Sequence, residues 1–257
     1  MSQPTSDFLR VACAAAQAAS IFLKQAFGKD IQDLKAKALD DLSSFADKEA
    51  ERMIIAQLTQ NFPEHNILGE ESGLVDKGSA YTWVIDPLDG TTNFVQGIPY
   101  FGCSIGLAKQ GVPVLGVITS PLTGNMMVAE KGTGTWLDGE QVRVVERPLE
   151  ESLVTFDLQA GDKAQGLEFI KKIAVEVRGV RLFGASVVAM MELAMGRNQC
   201  YVHPSLKDWD ACAGAIIIQE AGGVVTDFDN HPWKLGRADF LASVGSHLHE
   251  KFFKLIT

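Results

Sequence analysis

Two hydrophobic periods alternate along the chain, and the changeovers between them divide it. Between Arg10 and Lys24 small and apolar residues crowd a single stretch that includes Val11, Ala12, Ala15, Ala16, Ala19, Phe22 and Leu23. Ser6 or Asp7 stands ready to cap it and Gly28 to end it, so an amphipathic helix is predicted. Residues 29–44 are polar and mixed, with Lys35, Lys37, Asp40 and Asp41, and predict a loop or an irregular hairpin. A second helix is predicted over about 45–62, with Ala50, Met53, Ile54 and Leu58 as its apolar face and Pro63 as its stop. The period then shortens. Runs at 66–69 and 83–85 read as strands, and those at 102–108, 112–119 and 125–129 as strands of hairpins separated by Gly- and Pro-containing turns. Gly132-Thr133-Gly134-Thr135 and Leu137-Asp138-Gly139-Glu140 read as further hairpin turns.

Beyond Arg147-Pro148 the pattern changes again. Strands are predicted at 153–156, 180–183, 200–202, 224–226 and 240–244, and helices at 163–177, 186–196, 209–222 and from about 246. Hairpins in the middle third followed by alternating strand and helix predict two packed subdomains, an α+β part over 1–145 and an α/β part over 146–257. Met190 and Met191 sit at helical spacing with Leu193 and read as core.

Composition narrows the function classes. A chain of 257 residues, 46% hydrophobic and 21% charged, is an ordinary globular protein with enough length for a large core. A net charge of −9 argues against binding nucleic acid by general electrostatics. Cys13, Cys103, Cys200 and Cys212 are far apart, in apolar contexts and without metal-ligand spacing, so buried free thiols in a reducing compartment are expected rather than zinc. The Ala-rich first helix is too short and too polar to span a bilayer and lacks a preceding basic region. A soluble, cytoplasmic protein without membrane attachment is expected.

The candidate chemistry centres on Asp86-Pro87-Leu88-Asp89-Gly90-Thr91-Thr92-Asn93-Phe94. An apolar run ends on Asp86, Pro87 stiffens the backbone, and Asp89 brings a second carboxylate three residues on. Carboxylates so placed suit a hard cation, and the N–H groups beyond Gly90, where a helix can start, suit an anion. A metal beside a phosphate is the layout of a metal-assisted phosphatase. Glu70 and Glu71 also end an apolar run, although adjacent acids are commonly a solvated face. Asp47 reads first as an acid in a helix first turn, and Asp210 equally as an N-cap or a ligand. Gly132 to Thr135 lacks the ending of a phosphate-binding P-loop and reads as a turn.

Three stretches, Gly69-Glu70-Glu71-Ser72, Asp86 through Phe94, and Trp209-Asp210 through Glu220-Ala221-Gly222-Gly223, resemble in order and spacing the signatures of the inositol monophosphatase family. The resemblance covers nearly the whole chain. It implies a layered αβαβα sugar-phosphatase sandwich, of α/β (α+β) class, with the site between its two parts. It also implies that Glu70, Asp86 and the Leu88 main-chain oxygen hold one Mg²⁺, that Asp86, Asp89 and Asp210 hold a second, and that a third, weaker ion sits beside Glu70. Thr91 with Asp47 orients and deprotonates the attacking water, with Glu70 beside them. Gly90 and Thr91 receive the phosphate, while Asp89, Ser186, His203 and Asp210 contact the substrate. Inositol 1-phosphate is the first substrate expected, with fructose 1,6-bisphosphate and 3′-phosphoadenosine 5′-phosphate as alternatives. Lithium sensitivity and a homodimer are further implications. One position departs from the family: His203 stands where a Glu usually accepts sugar hydroxyls, and an imidazole does not replace a two-oxygen acceptor. Lys207 meets either a second phosphate or only solvent. A regulatory protein that kept the fold and binds a macromolecule is the competing reading of another class.

Overall fold

The computed structural model describes residues 6–28, 39–158 and 163–257. The chain is built in five layers. Helices α1 (Asp7–Ala26) and α2 (Leu39–Asn61) cover one face of a first sheet. This sheet is formed by β1 (Asn66–Gly69), β2 (Gly73–Val75), β3 (Tyr81–Asp89), β4 (Gly102–Lys109), β5 (Val112–Ser120), β6 (Asn125–Glu130), β7 (Thr135–Leu137) and β8 (Glu140–Val142), with the short helix α3 (Thr91–Val95) following β3. Its strand order is β2-β1-β3-β4-β5-β6-β7-β8, antiparallel throughout except that β1 runs parallel to β3. The second sheet has the order β10-β9-β11-β13-β12, from β9 (Leu153–Phe156), β10 (Gly179–Leu182), β11 (Cys200–His203), β12 (Val224–Thr226) and β13 (Phe240–Ser243). Helices α5 (Ser186–Ala194) and α6 (Asp208–Glu220) lie between the sheets, and α4 (Lys163–Ala174) and α7 (Ser246–Ile256) cover the far face. This is the layered α/β sandwich expected from the sequence.

The small residues of the sequence explain how the layers close. Ser6, not Asp7, caps α1, its Oγ accepting the Leu9 N–H at 3.1 Å. Small residues let α6 pack closely on both sides: Ala213 lies on the first sheet, and a Cβ added to Gly214 would run into Met190 Sδ of α5. A Cβ added to Gly106 would fall 2.6 Å from Cys212 Sγ, and one added to Gly116 would fall 2.5 Å from the Ala213 carbonyl oxygen. This contact fixes where the start of α6, with Asp210, meets the sheet.

Three predicted boundaries change. Helix α2 starts at Leu39, so the polar stretch 39–44 is helical, while 29–38 lies outside the described residues. Asp47 is therefore two turns inside the helix, and the helix-start explanation of its charge falls away. Second, β3 does not end at Ile85 but runs through Pro87 to Asp89. Proline is tolerated there because the ladder is interrupted: Asp86 pairs with Ser104 and Asp89 with Gly102, an extra residue on β3 that makes a bulge. Third, the Gly132 to Thr135 and Leu137 to Glu140 turns flank short strands, β7 and β8, on the sheet edge.

The Gly-rich turn does hold an anion, but one of its own chain. Glu220, at the end of α6, accepts the N–H groups of Gly132 at 2.8 Å and Gly134 at 2.9 Å. Replacing Glu220 by alanine leaves both donors without their charged acceptor, and a loss of about 1–3 kcal/mol is expected. The check is thermal unfolding, with a melting point lower by several degrees and unchanged turnover at 25 °C.

The four cysteines are free, and burial pushes their thiols up, Cys103 to about 12, so none is a ready nucleophile. Among the described residues, no helix is long and apolar enough to cross a membrane.

Candidate active site

The parallel pairing of β1 with β3 brings two acids to one sheet edge. Gly69 lies opposite Ile85, and the Glu70 N–H donates to the Ile85 carbonyl at 3.1 Å, so Glu70 and Asp86 leave their strands side by side. The bulge then supplies the third. In a regular strand residues three apart point to opposite faces, and the extra residue between Asp86 and Asp89 brings both to the same side. Asp210, in the first turn of α6, completes the group: one carboxylate oxygen from each of Asp86, Asp89 and Asp210 lies within 4.8 Å of the others.

Short hydrogen bonds hold the loop rigid. Asp86 Oδ1 accepts the Leu88 N–H at 3.0 Å, and Thr91 Oγ1 donates to the Leu88 carbonyl at 3.0 Å. Gly90 has φ +89°, and a Cβ there would meet the Tyr100 carbonyl oxygen at 2.9 Å and Ala185 Cβ at 3.0 Å, so only glycine fits. Asn93 ties this loop to the other half of the molecule: its amide donates to Tyr100 O at 2.7 Å and to Phe183 O at 2.8 Å. Asp89 Oδ2 accepts the Val187 N–H at 2.7 Å, at the positive end of α5.

Beneath Glu70, the buried Glu51 of α2 accepts the N–H groups of Glu71 at 3.0 Å and Ser72 at 2.8 Å. Gly69 leaves the room for it, since a Cβ there would lie 2.5 Å from Glu51 Oε2. Asp47, one turn before Glu51, is buried, and its Oδ1 has no hydrogen-bond partner among the described residues.

So many acids in so little space repel. Burial, then Glu70, Glu71 and Glu51, push the Asp47 carboxyl up to about 8. Burial and Asp210 push Glu70 up to about 7. Asp86 is driven well above the usual range by burial and then by Asp89, Asp210 and Glu70, and Asp89 by burial and then Asp210, against the Val187 N–H. Clustered hard oxygen donors held by such repulsion fit a divalent cation, which converts the repulsion into binding energy.

Of the residues named from the sequence, Glu70, Asp86, Leu88, Asp89, Gly90, Thr91, Ser186 and Asp210 line one cleft of about 590 Å³. Lys207 lines it too, with Lys163. Asp47 does not line it, and the charge of Glu70 acts on its buried carboxyl. His203 is not brought to it: the side chain is wholly buried on β11, where Nδ1 accepts the Ser205 N–H at 3.0 Å. Three residues escape a reading of the sequence, namely Glu51, the Asn93 tie and Asp157. Asp157 follows the apolar run of β9 as Asp86 follows Trp83 to Ile85, so the same strand-end rule finds it.

An acid cluster whose oxygens suit a cation, in a five-layered α/β sandwich, fits the class of metal-dependent phosphatases. The chain belongs to the inositol monophosphatase family, whose model matches residues 5–257, and is a phosphoric monoester hydrolase. It is 34% identical over 222 residues to the "Fructose-1,6-bisphosphatase/inositol-1-monophosphatase" of Thermotoga maritima, covering 86% of this chain and 85% of that one. It is 34% identical over 230 residues to the "Nus factor SuhB" of Pseudomonas aeruginosa, covering 86% and 85%. The inositol monophosphatase of Anabaena superposes with a TM-score of 0.86 at 32% identity, over 97% of this chain and 94% of that one.

Proposed function

We propose that this chain hydrolyses a small sugar or cyclitol phosphate, inositol 1-phosphate first, with two to three Mg²⁺ ions, in the cleft between subdomains 1–145 and 146–257. The observation that carries the proposal is the meeting of Asp86, Asp89 and Asp210 within 4.8 Å, beside the Gly90 turn. Glu70, Asp86 and the Leu88 carbonyl oxygen would hold one ion, Asp86, Asp89 and Asp210 a second, and Glu70 a third. When bound, the cations supply Lewis acidity, which makes water a nucleophile near neutral pH and offsets charge on the phosphoryl group and the leaving alkoxide.

The chain's own groups do the rest. The Gly90 and Thr91 N–H groups receive the phosphate. Thr91 Oγ1, whose proton is committed to the Leu88 carbonyl, keeps its lone pairs free to accept from the attacking water. Asp47 does not line the cleft but is close enough to feel the Glu70 charge, so it would take the proton at one remove, through Glu70. Water oxygen bonds to phosphorus as the bond from phosphorus to the ester oxygen breaks, and the leaving oxygen takes up one proton from solvent, balancing the one the water gave up; no phosphoenzyme is required. Glu51 holds the Glu70 turn in place.

A second reading within the same chemistry has an observation of its own. Lys163 and Lys207 are exposed on the cleft wall, where they would meet the second phosphate of fructose 1,6-bisphosphate or 3′-phosphoadenosine 5′-phosphate. Turnover of these two and of inositol 1-phosphate by the purified chain with Mg²⁺ separates the readings. Inositol 1-phosphate is expected to give the highest kcat/KM, and a faster bisphosphate would transfer the assignment. The relative named as a Nus factor favours a regulatory protein partner as an additional role. Hydrolysis of no phosphomonoester at all would make binding the primary one. We further propose a cytoplasmic homodimer, which sedimentation at micromolar concentration tests.

A further inference from the structure

The cleft has a second wall, opposite in purpose to the phosphate side. Asp157 stands directly after β9 and is only 7% exposed, yet it lines the cleft. Its Oδ1 accepts the Gly184 N–H at 2.8 Å, and its Oδ2 lies 3.2 Å from Tyr201 Oη and 3.5 Å from Ser186 Oγ. Tyr201 Oη is also 2.8 Å from Ser186 Oγ. A phenol has one proton, so Tyr201 serves either the carboxylate or the serine at any moment. Three donors at most among the described residues then occupy a carboxylate that has about four acceptor positions. Among the described residues, at least one position stays open to a donor arriving in the cleft.

Among the described residues, no cation is paired with this acid. Burial most of all, with the carboxylate of Asp210, pushes its pKa up to about 6, against the Gly184 N–H and the Tyr201 and Ser186 hydroxyls. It remains mostly ionised at neutral pH. A buried carboxylate without a cation is costly to hold, and Tyr201, wholly buried, holds this one rigidly. Its own negative charge acts on Asp89 and disfavours a phosphate or carboxylate at this spot. Neutral donors suit it: hydroxyl groups.

We propose that Asp157 is the acceptor for hydroxyls of the leaving alcohol, that it selects phosphate monoesters of polyols, and that Tyr201 is its positioning residue. The inference rests on the phosphatase reading above and adds the residue that recognises the alcohol. It also gives a carboxylate to the task that His203, inside the second sheet, is not placed to perform.

The test compares substrates with and without neighbouring hydroxyls. With Mg²⁺ present, kcat/KM is measured for inositol 1-phosphate, glycerol 2-phosphate and 4-nitrophenyl phosphate, on the unmodified chain and on Asp157→Asn and Tyr201→Phe. Asp157→Asn is expected to lower kcat/KM for the two polyol phosphates at least about tenfold, because a charged acceptor is lost. It should leave the aryl phosphate within about twofold. Tyr201→Phe keeps the carboxylate but frees it, so a smaller loss is expected, carried by KM rather than kcat and again confined to the polyols. Equal losses on all three substrates would mean a structural role, and unchanged polyol turnover would mean no role; either overturns the inference. If Asp157→Asn does not fold, as judged by its melting curve, Tyr201→Phe decides alone. An unmodified chain inactive on all three substrates removes the phosphatase reading itself, a result visible before any variant is made.

Discussion

Replacing Asp86 by asparagine, or Asp210 by asparagine, is expected to reduce kcat at saturating Mg²⁺ by at least about a thousandfold, a barrier increase of roughly 4 kcal/mol. Asparagine has the shape of aspartate, and its carbonyl oxygen can still accept the Leu88 N–H that Asp86 accepts at 3.0 Å. The loop therefore keeps its geometry while the charge goes. Removing one of several mutually repelling acids relieves the others, because Asp86 and Asp210 each act on the remaining carboxylates. Without metal, each variant is accordingly expected to melt no lower than the unmodified chain. Loss of activity without loss of stability distinguishes removal of a ligand from damage to the fold. Near-normal turnover by either variant, measured as phosphate release, would sink the metal assignment.

The acids that are legible in the sequence share one local property. Glu70 and Asp86 each end an apolar run, and a run that short is a buried strand whose end faces the ligand side of a sheet. Asp157 ends such a run too. It is easily missed because the first two lie in recognisable signatures and it does not. Other features escape because their causes are not local. Glu51 looks like any polar residue of a helix until its carboxylate is seen holding N–H groups of residues 71 and 72, about twenty positions away. Asn93 is bonded to a carbonyl ninety positions on.

The bulge in β3 is hidden for a different reason. Pro87 lacks the N–H of a regular ladder and reads as a strand end. The structure keeps the strand and interrupts the ladder instead, and that interruption is what turns Asp86 and Asp89 to the same side. The polar beginning of helix α2 is illegible because residues 39–44 offer little hydrophobic period. Reaction and substrate differ in legibility on the same grounds. Asp86, Leu88 and Asp89 come from one stretch of β3, and Glu70 and Asp210 lie in recognisable signatures, whereas Asp157, Ser186 and Lys207 reach the cleft from three segments that only the second sheet and its helices assemble.

Magnesium is expected to stabilise the protein much more at pH 8 than at pH 5, and the sign follows from the raised carboxyls. In an unfolded chain these groups titrate at about 3.9 for Asp and 4.3 for Glu. In the folded chain without metal, Glu70 is pushed up to about 7 and Asp47 to about 8. Between about pH 4 and pH 8 the folded form thus holds more protons than the unfolded one, and stability falls as pH rises through that window. A tenfold difference in proton affinity between the two states corresponds to about 1.4 kcal/mol. The buried Asp47 contributes on the order of a few kcal/mol to this loss, the raised Asp86 and Asp89 add to it, and water screens the more exposed Glu70, which adds less. At pH 5 most of these carboxyls are protonated, and a cation must displace their protons in order to bind. By pH 8 Glu70 is largely ionised and Asp47 about half so, and a cation finds ionised ligands whose repulsion it relieves. With about 2–4 °C per kcal/mol for a chain of this size, a gain on the order of 10 °C is expected on adding millimolar Mg²⁺ to the EDTA-treated protein at pH 8, and only a few degrees at pH 5. Other groups titrate in the same window, but their effect is common to both conditions and cancels in the difference between plus and minus Mg²⁺. Asp86→Asn should shrink that difference at pH 8, since it removes the ligand shared by two of the proposed ions. A magnesium response of equal size at both pH values would show that the acids are not held apart as ionised neighbours, and the cluster would have to owe its burial to something other than a cation.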